Sequence, residues 1–516
     1  MSSDAAARAA SATPVDAAAT KASPARAAAS AAATSPRVPK RIAAVIINSL
    51  KGGVVPRIGL PYITVGREAE VRALLHDLDL IASGGASFRF LVGRYGAGKS
   101  FLLQTIRTHA MGKGFVVADA DLSPERRLQG RHGEGLATYR ELIRNLSTKT
   151  RPEGGALQLV LDRWVQATRD LGGAEEQVTL ARQFAPLEEM VHGFDFVRVL
   201  RAYREASLAS EPDEERQAAV LRWLRGEYRT KTEARQELGI NACITDDDWY
   251  DHLKLLAQFL TGAGYEGLLV LVDELVNLYK IPNAITRQYN YEKILTMYND
   301  TLQGKAHHLG IVMGGTPQSI EDRRRGVYSY EALRSRLAEG RFAREGLSDM
   351  LAPVIHLNPL TYEELLVLIE KLADIHAGYF GYERTLATPD LVRFLELEFG
   401  RVGADTHLTP REVIRDFVEL LDILFQNPNA RMEDLLGQGG MPAAGGATGA
   451  SAAADTAGTA GASAAAGATG GEGTALAATG AAGAEEASPQ PPSTTLEHAH
   501  AAQPKPQQRQ FTEFEI

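Results

Sequence analysis

The sequence predicts an α/β protein: a five-stranded parallel sheet with helices on its faces, a helical insertion, and a helical domain after the sheet. Three observations support this prediction. Short apolar runs alternate with longer stretches of helical periodicity. About 150 residues separate the second apolar run from the third. The pattern after the fifth run is purely helical.

The predicted strands are apolar on both faces, as expected for parallel strands that are covered by helices on each side. They are Phe88–Val92, Phe115–Ala118, Leu268–Val272, Leu309–Met313 and Val354–Leu357. Helices are expected after nearly every one of them.

The long interval between the second and third strands predicts an inserted helical subdomain at about 134–262, because a plain crossover needs only a dozen or so residues. Helical periodicity is found at 137–148, 156–169, 178–190, 195–208, 212–228 and 247–260. We therefore expect a domain at 40–358 that contains this insertion.

A helical domain is predicted at 359–436, where Thr361 and Thr409 are suitable N-caps. Its helices are predicted at 361–377, 388–399 and 410–425. The tails at 1–39 and 437–516 are rich in small residues that bury too little apolar area to offset the entropy of ordering, so we predict that both are disordered.

The composition, with 44% hydrophobic and 23% charged residues, is that of a soluble globular protein. No apolar run approaches the roughly 20 residues of a membrane helix, so no membrane association is expected. Cys243 is the single cysteine, which excludes an internal disulfide and a cysteine-based zinc site and suits the cytoplasm. The net charge of −9 does not indicate nucleic-acid binding, although a local basic patch would still allow DNA to bind.

A glycine-rich segment between the first predicted strand and a predicted helix fits the P-loop pattern for nucleotide binding. It reads Gly93-Arg94-Tyr95-Gly96-Ala97-Gly98-Lys99-Ser100. Glycines let backbone N–H groups approach phosphates at a helix N-terminus. We expect Lys99 to reach the β- and γ-phosphates of ATP and Ser100 to ligate Mg²⁺; a glycine-rich turn without a ligand is the alternative.

Two acids, Asp273 and Glu274, end the third predicted strand. Asp273 can hold the Mg²⁺ shell, and Glu274 can polarise the attacking water. The alternative is a strand that ends in solvated acids. This pairing resembles the AAA+ and STAND ATPases within the P-loop NTPases, in which the second acid commonly activates water.

Three further positions resemble parts of AAA+ proteins. Gly66 and Arg67 lie in a "GRE" box that approaches adenine in initiator-type members, or they form a simple helix-start turn. Thr316 follows the fourth strand and looks like sensor 1, or it belongs to a strand-ending turn. Arg411 opens the last predicted helix and is similar to sensor 2, or it is an ordinary helix-start arginine.

An arginine cluster before the fifth strand resembles the location of the AAA+ arginine finger, which acts on the nucleotide of a neighbouring subunit in a homo-oligomer. It comprises Arg323, Arg324, Arg325, Arg334, Arg336, Arg341 and Arg344. We choose Arg336, with Arg334 second; a solvated arginine face is the alternative, because Glu331 and Glu339 are helical neighbours.

The chain from about Ile46 to Leu424 resembles the BREX-system ATP-binding proteins of BrxD type. The distinctive stretches are 118–128, which begins Ala118-Asp119-Ala120-Asp121, and 323–334, which begins Arg323-Arg324-Arg325. The resemblance implies ATP use in a bacterial antiviral defence or stress system. It leaves two functions open: an ATPase that acts on a partner protein or DNA, and a nucleotide-gated interaction scaffold in which hydrolysis is slow or incidental.

Overall fold

The computed structural model of the chain describes residues 38–338, 349–400 and 409–438. Nearly all of the two predicted tails therefore lies outside the described residues. Arg341 and Arg344 of the arginine cluster lie outside them as well.

All five predicted strands are present in one parallel sheet, which confirms the predicted α/β fold class. The strands are β1 (Ala86–Val92), β2 (Val116–Asp121), β3 (Leu268–Asp273), β4 (Leu309–Gly315) and β5 (Val354–His356). Their order is β2-β3-β4-β1-β5, so β4 separates the strand before the P-loop from the strand that ends in Asp273.

The helices follow in chain order. They are α1 (Lys40–Lys51), α2 (Leu60–Ile63), α3 (Glu68–Ala82), α4 (Lys99–Gly112), α5 (Glu134–Arg144), α6 (Leu157–Arg169), α7 (Gly173–Glu188), α8 (Gly193–Leu208), α9 (Glu214–Leu224), α10 (Lys231–Leu238), α11 (Trp249–Gly262), α12 (Val276–Tyr279), α13 (Ala284–Leu302), α14 (Pro317–Glu321), α15 (Glu331–Leu337), α16 (Tyr362–Phe380), α17 (Thr388–Gly400), α18 (Pro410–Gln426) and α19 (Met432–Gln438). None of these described helices is long and apolar enough to cross a membrane.

The two faces of the sheet have separate apolar cores because side chains alternate along each strand. On one face Leu91 and Leu271 share a core with residues of α3 and α4. On the other face Phe90 and Val270 belong to a larger core that continues into α13 and the helices between β2 and β3. This second core fixes the inserted helices against the sheet.

The insertion contains one helix more than the sequence patterns predict. A single helix was expected at 212–228, but α9 ends at Leu224 and Gly226 takes a positive φ of 70°. A new helix, α10, begins after Thr230, whose side chain accepts a hydrogen bond from the Glu233 N–H. The threonine and glutamate three residues apart are the N-cap pattern that could have identified this helix.

The C-terminal helices share an apolar core with α1, a helix the sequence analysis had not predicted. Ile46 and Ile47 of α1 are buried with Ile369 of α16 and Phe417 of α18. Lys51 at the end of α1 lies 2.6 Å from the Asp422 carboxylate. The domain boundaries stay predictions, but α1, which lies within the domain predicted at 40–358, packs with the C-terminal helices.

Candidate active site

The glycine-rich segment forms the loop between β1 and α4, as the strand and helix patterns around it predict. Gly96 and Gly98 have φ angles of 79° and 94°, a left-handed conformation that residues with a Cβ rarely adopt. α4 begins at Lys99, directly after Gly98. The loop therefore presents its backbone at the N-terminus of a 14-residue helix.

Lys99 folds back over this loop. Its Nζ donates hydrogen bonds to the carbonyl oxygens of Gly93 at 2.9 Å and Arg94 at 3.0 Å. Burial lowers the pKa of Lys99, while the nearby Asp273 and Glu274 carboxylates raise it in part and Arg411 lowers it further. The ammonium is thus a partly desolvated cation beside two carboxylates.

The acids at the end of β3 meet Ser100 at the carboxyl edge of the sheet. Ser100 Oγ donates a hydrogen bond to Asp273 Oδ2 at 2.7 Å. Asp273 Oδ1 accepts one from the Glu274 N–H at 2.8 Å. Asp273 is buried, whereas Glu274 is exposed and has a φ of 62°, which is unfavourable for a residue with a side chain. The chain therefore turns sharply at the end of β3 and leaves one acid inside and the other accessible.

Gly314 on β4 makes room for the Asp273 carboxylate. A Cβ at this position would lie 2.3 Å from Asp273 Oδ1, closer than any normal contact. Nothing in the sequence pattern pointed to this glycine. We therefore assign Gly314 a positioning role for Asp273.

Gly314→Ala is expected to displace the Asp273 carboxylate and so to weaken the binding of the Mg²⁺ that ATP turnover requires. We expect the Mg²⁺ concentration for half-maximal turnover to rise about 10- to 100-fold, the usual effect of disturbing a group that orients a metal ligand. Gly378→Ala in α16 is the matched control, since a Cβ there would meet no atom within 4 Å. An unchanged Mg²⁺ requirement in Gly314→Ala would contradict this role.

Thr316 lines the cavity that is described below. Its hydroxyl is also the N-cap of α14. Its Oγ1 accepts a hydrogen bond from the Ser319 N–H at 3.2 Å, and Ser319 Oγ accepts one from the Thr316 N–H at 2.9 Å. Thr316 therefore belongs to a strand-ending turn, and it also lies where a phosphate sensor is expected. The sensor role of Thr316 stays a prediction.

Arg67 supports the P-loop from the side. It has a φ of 65°, and its guanidinium donates hydrogen bonds to Glu70 Oε1 and to the Ala97 carbonyl oxygen, both at 3.1 Å. The neighbouring Gly66 packs so closely that a Cβ would lie 2.5 Å from Glu364 Oε1 of α16. The "GRE" segment thus joins the P-loop to the C-terminal helices.

The N-terminus of α18 covers the tip of the P-loop. A Cβ at Gly96 would lie 2.7 Å from Thr409 Oγ1, the N-cap of α18. The guanidinium carbon of Arg411 lies 4.8 Å from the centre of the Tyr95 ring. Arg411 also lines the pocket, so the position predicted for sensor 2 does lie at the P-loop.

A cavity of about 620 Å³ joins these groups. The P-loop, Asp273, Glu274, Thr316 and Arg411 form its polar end. Its apolar wall comes from the N-terminal segment and the C-terminal helices: Leu50, Val54, Val55, Ile63, Val65, Leu368 and Ile414. Cations beside an apolar wall suit a ligand with a phosphate chain and a planar base, so the residues present fit ATP.

The oxygen donors at the polar end also fit Mg²⁺. The ion prefers oxygen ligands, keeps several waters and commonly uses only one or two carboxylates together with phosphates. Ser100 Oγ and the Asp273 carboxylate lie side by side, as such a site requires. Within the described residues no group of three or more His, Cys, Asp or Glu side chains could hold a metal alone.

Arg336 lies apart from this cavity. Its side chain is exposed on α15, where it donates a hydrogen bond to the Ala332 carbonyl oxygen at 2.7 Å. Arg334 forms an ion pair with Glu331 on the same helix. Neither arginine lines the nucleotide cavity of its own chain. A finger role for either would therefore need a second chain.

Comparison with known families gives a match over most of the described chain. The family model described as "BREX system ATP-binding protein BrxC/D" matches residues 38–439. This match confirms the resemblance that the motifs predicted. A search of curated proteins finds no match to the chain.

Proposed function

Because the chain belongs to the family of BREX system ATP-binding proteins BrxC/D, we propose that it hydrolyses ATP with Mg²⁺ and couples turnover to a change in a partner protein or DNA. The family description supports ATP as the ligand. The observation that carries hydrolysis is the turn at the end of β3, which buries Asp273 beside Ser100 and leaves Glu274 accessible.

Each group has a distinct role in this proposal. Lys99 exchanges its bonds to the loop carbonyls for the β- and γ-phosphates, whose negative charge favours a partly desolvated ammonium. Ser100 and Asp273 hold Mg²⁺, which supplies positive charge against the phosphates. Glu274 orients the attacking water and accepts its proton. Arg411 adds positive charge from α18.

ATP turnover by the purified chain tests this proposal, measured over a range of protein concentrations with and without double-stranded DNA. Turnover above that of a protein-free blank supports an ATPase, and a rise with DNA or with a component of the same defence system identifies what it is coupled to. Turnover equal to the blank under all conditions would contradict it.

The contact between α18 and the P-loop favours a second function, a nucleotide-gated scaffold. Thr409 packs on Gly96 and Arg411 on Tyr95, so a change in the P-loop tip on ATP binding would move α18 directly. In that case ATP binding alone, with slow hydrolysis, is sufficient to change the C-terminal helices. Partner binding that is equal with ATP and with a non-hydrolysable analogue would favour the scaffold.

Arg336→Ala is expected to lose ATP turnover by about 10³-fold or more while ATP binding is retained, because a finger acts mainly on charge that develops in the transition state. Arg334→Ala, the second candidate on the same helix, shows which of the two arginines acts. Mixing Arg336→Ala with Lys99→Ala chains should restore activity above both parents, since one interface then combines an intact P-loop with an intact finger. Turnover independent of protein concentration, without recovery on mixing, would leave Arg336 a surface residue.

A further inference from the structure

A second cavity, of about 580 Å³, lies in the inserted helices beside β2. We call it the arginine cavity. Four arginines line it, accompanied by two glutamates, Glu141 and Glu227. The arginines are Arg126, Arg140, Arg144 and Arg225. The lining therefore has an excess of two positive charges in a protein whose net charge is −9.

The two acids of the cavity are too few to neutralise its four arginines. Glu141 is shared, since Arg126 lies 3.5 Å from one of its oxygens and Arg144 pairs with the same oxygen. Its other oxygen accepts a hydrogen bond from Asn145 Nδ2. The half-buried Arg225 forms no side-chain hydrogen bond or ion pair within the part of the chain that the structure describes.

Arg140 is held in place by the turn after α9. Its Nε and Nη2 both donate to the Gly226 carbonyl oxygen, at 2.8 and 2.6 Å. This leaves its second terminal nitrogen without a hydrogen bond within the described residues. Fixed guanidinium groups are suited to phosphate because their planar donors match its oxygens in pairs.

Part of the cavity lining is apolar. It includes Ile143 and Leu157, which are both buried, and Ala137. An inorganic anion would use only the arginines, whereas a phosphate ester with an apolar or aromatic part would also cover these apolar residues. The volume is close to that of the cavity at the P-loop.

We propose that the arginine cavity binds a phosphorylated small molecule of nucleotide size. Its phosphate is bound by Arg225 and Arg140, with Arg144 at the rim, and its base or other apolar part lies against Ile143 and Leu157. This binding does not depend on ATP hydrolysis at the P-loop.

Hydrogen bonds also connect the arginine cavity to the ATP site. The inference drawn from this connection rests on the proposed ATPase function. Arg126 Nε donates to the backbone oxygen of Asp121 at 3.0 Å. Asp121 ends β2 directly beside Asp273 on β3. A ligand phosphate that draws Arg126 into the cavity would therefore release a hydrogen bond at the strand end next to the Mg²⁺ ligand.

Equilibrium dialysis of the full-length Lys99→Ala chain tests the binding site. AMP lacks the β- and γ-phosphates that Lys99 is expected to contact, so it is the effect of the cavity arginines that distinguishes binding here from binding at the P-loop. AMP and inorganic phosphate serve as separate labelled probes. We expect AMP to bind, and we expect Arg225→Glu or the more exposed Arg144→Glu, each added to Lys99→Ala, to weaken it at least tenfold. Arg235→Glu on the exposed face of α10 is the charge-matched control and should leave AMP binding unchanged.

The outcomes separate the ligand sources. AMP binding that is stronger than phosphate binding and sensitive to Arg225 and Arg144 supports a nucleotide-like ligand. Equal binding of both probes with the same sensitivity supports phosphate as the recognised group without the apolar contact. Absence of binding at millimolar concentration, or AMP binding that neither variant changes, overturns the proposal.

Turnover measurements test the route to the ATP site separately. AMP should change ATP turnover of the otherwise unaltered chain differently from that of Arg225→Glu, whose turnover without AMP is expected to be unchanged. An identical response in both chains would place the effect of AMP at the P-loop and overturn the coupling. A chain without ATP turnover would refute the proposed ATPase but not the binding site, which dialysis measures independently.

Discussion

Glu274→Gln is expected to bind ATP normally while its turnover falls about 100- to 10,000-fold, the usual contribution of a general base. The amide keeps the shape of the side chain and its place after the turn at Asp273, but it cannot accept the proton of the attacking water. Measurement of ATP affinity by calorimetry and of turnover by phosphate release separates the two effects.

The matched control for this substitution is Glu266→Gln. Glu266 is exposed near the start of β3, at the opposite end of the strand from Glu274, so the same change of charge is made far from the cavity. If Glu274→Gln turns over ATP at the rate of Glu266→Gln, Glu274 is not the base. If Glu274→Gln fails to bind ATP, the Glu274 carboxylate has a role in the structure of the site.

Lys99→Ala is expected to weaken ATP binding by about 10- to 150-fold, because hydrogen bonds to a charged group are worth about 1.5–3 kcal/mol. The ammonium bonds to two carbonyl oxygens of the P-loop, and the methyl group of alanine cannot replace it. Calorimetric titration with ATP checks the affinity, and thermal unfolding checks that the chain is folded.

Lys99→Arg distinguishes charge from geometry in this experiment. A guanidinium keeps the positive charge but is planar and longer, so it fits poorly between the loop carbonyls and a phosphate. We expect Lys99→Arg to remain weak. Unchanged ATP affinity in Lys99→Ala would contradict the assignment of the loop to the phosphates.

The sequence predicts well those features that depend on residues close together in the chain. The apolar runs at Phe88–Val92 and Leu268–Val272 identify their strands because parallel strands are covered on both faces. The glycines of the P-loop identify their own turn. The meeting of Ser100 and Asp273 also follows, since parallel strands place their carboxyl ends at one edge of the sheet.

Features that depend on contacts between distant segments were not predictable. Gly314 has an ordinary strand neighbourhood, and its role appears only because β4 lies beside Asp273. Val54 and Val55 carry no motif, yet they contribute to the apolar wall of the cavity. α1 was not predicted, and nothing in its sequence indicates that α16 and α18 bury its apolar face.

The packing of α1 has a consequence for biosynthesis. Lys51 and Asp422 are 371 residues apart in sequence. Because ribosomes add about 5–20 residues per second, α18 is synthesised roughly 20 to 75 seconds after α1. For most of that time Leu50 and its neighbours lack both α16 and α18, and until the end of it they lack α18. We expect a nascent chain stalled before residue 409 to expose this apolar face to proteases and to bind ATP poorly. A translation product truncated there should therefore be degraded rather than compete with complete chains for nucleotide or for partners.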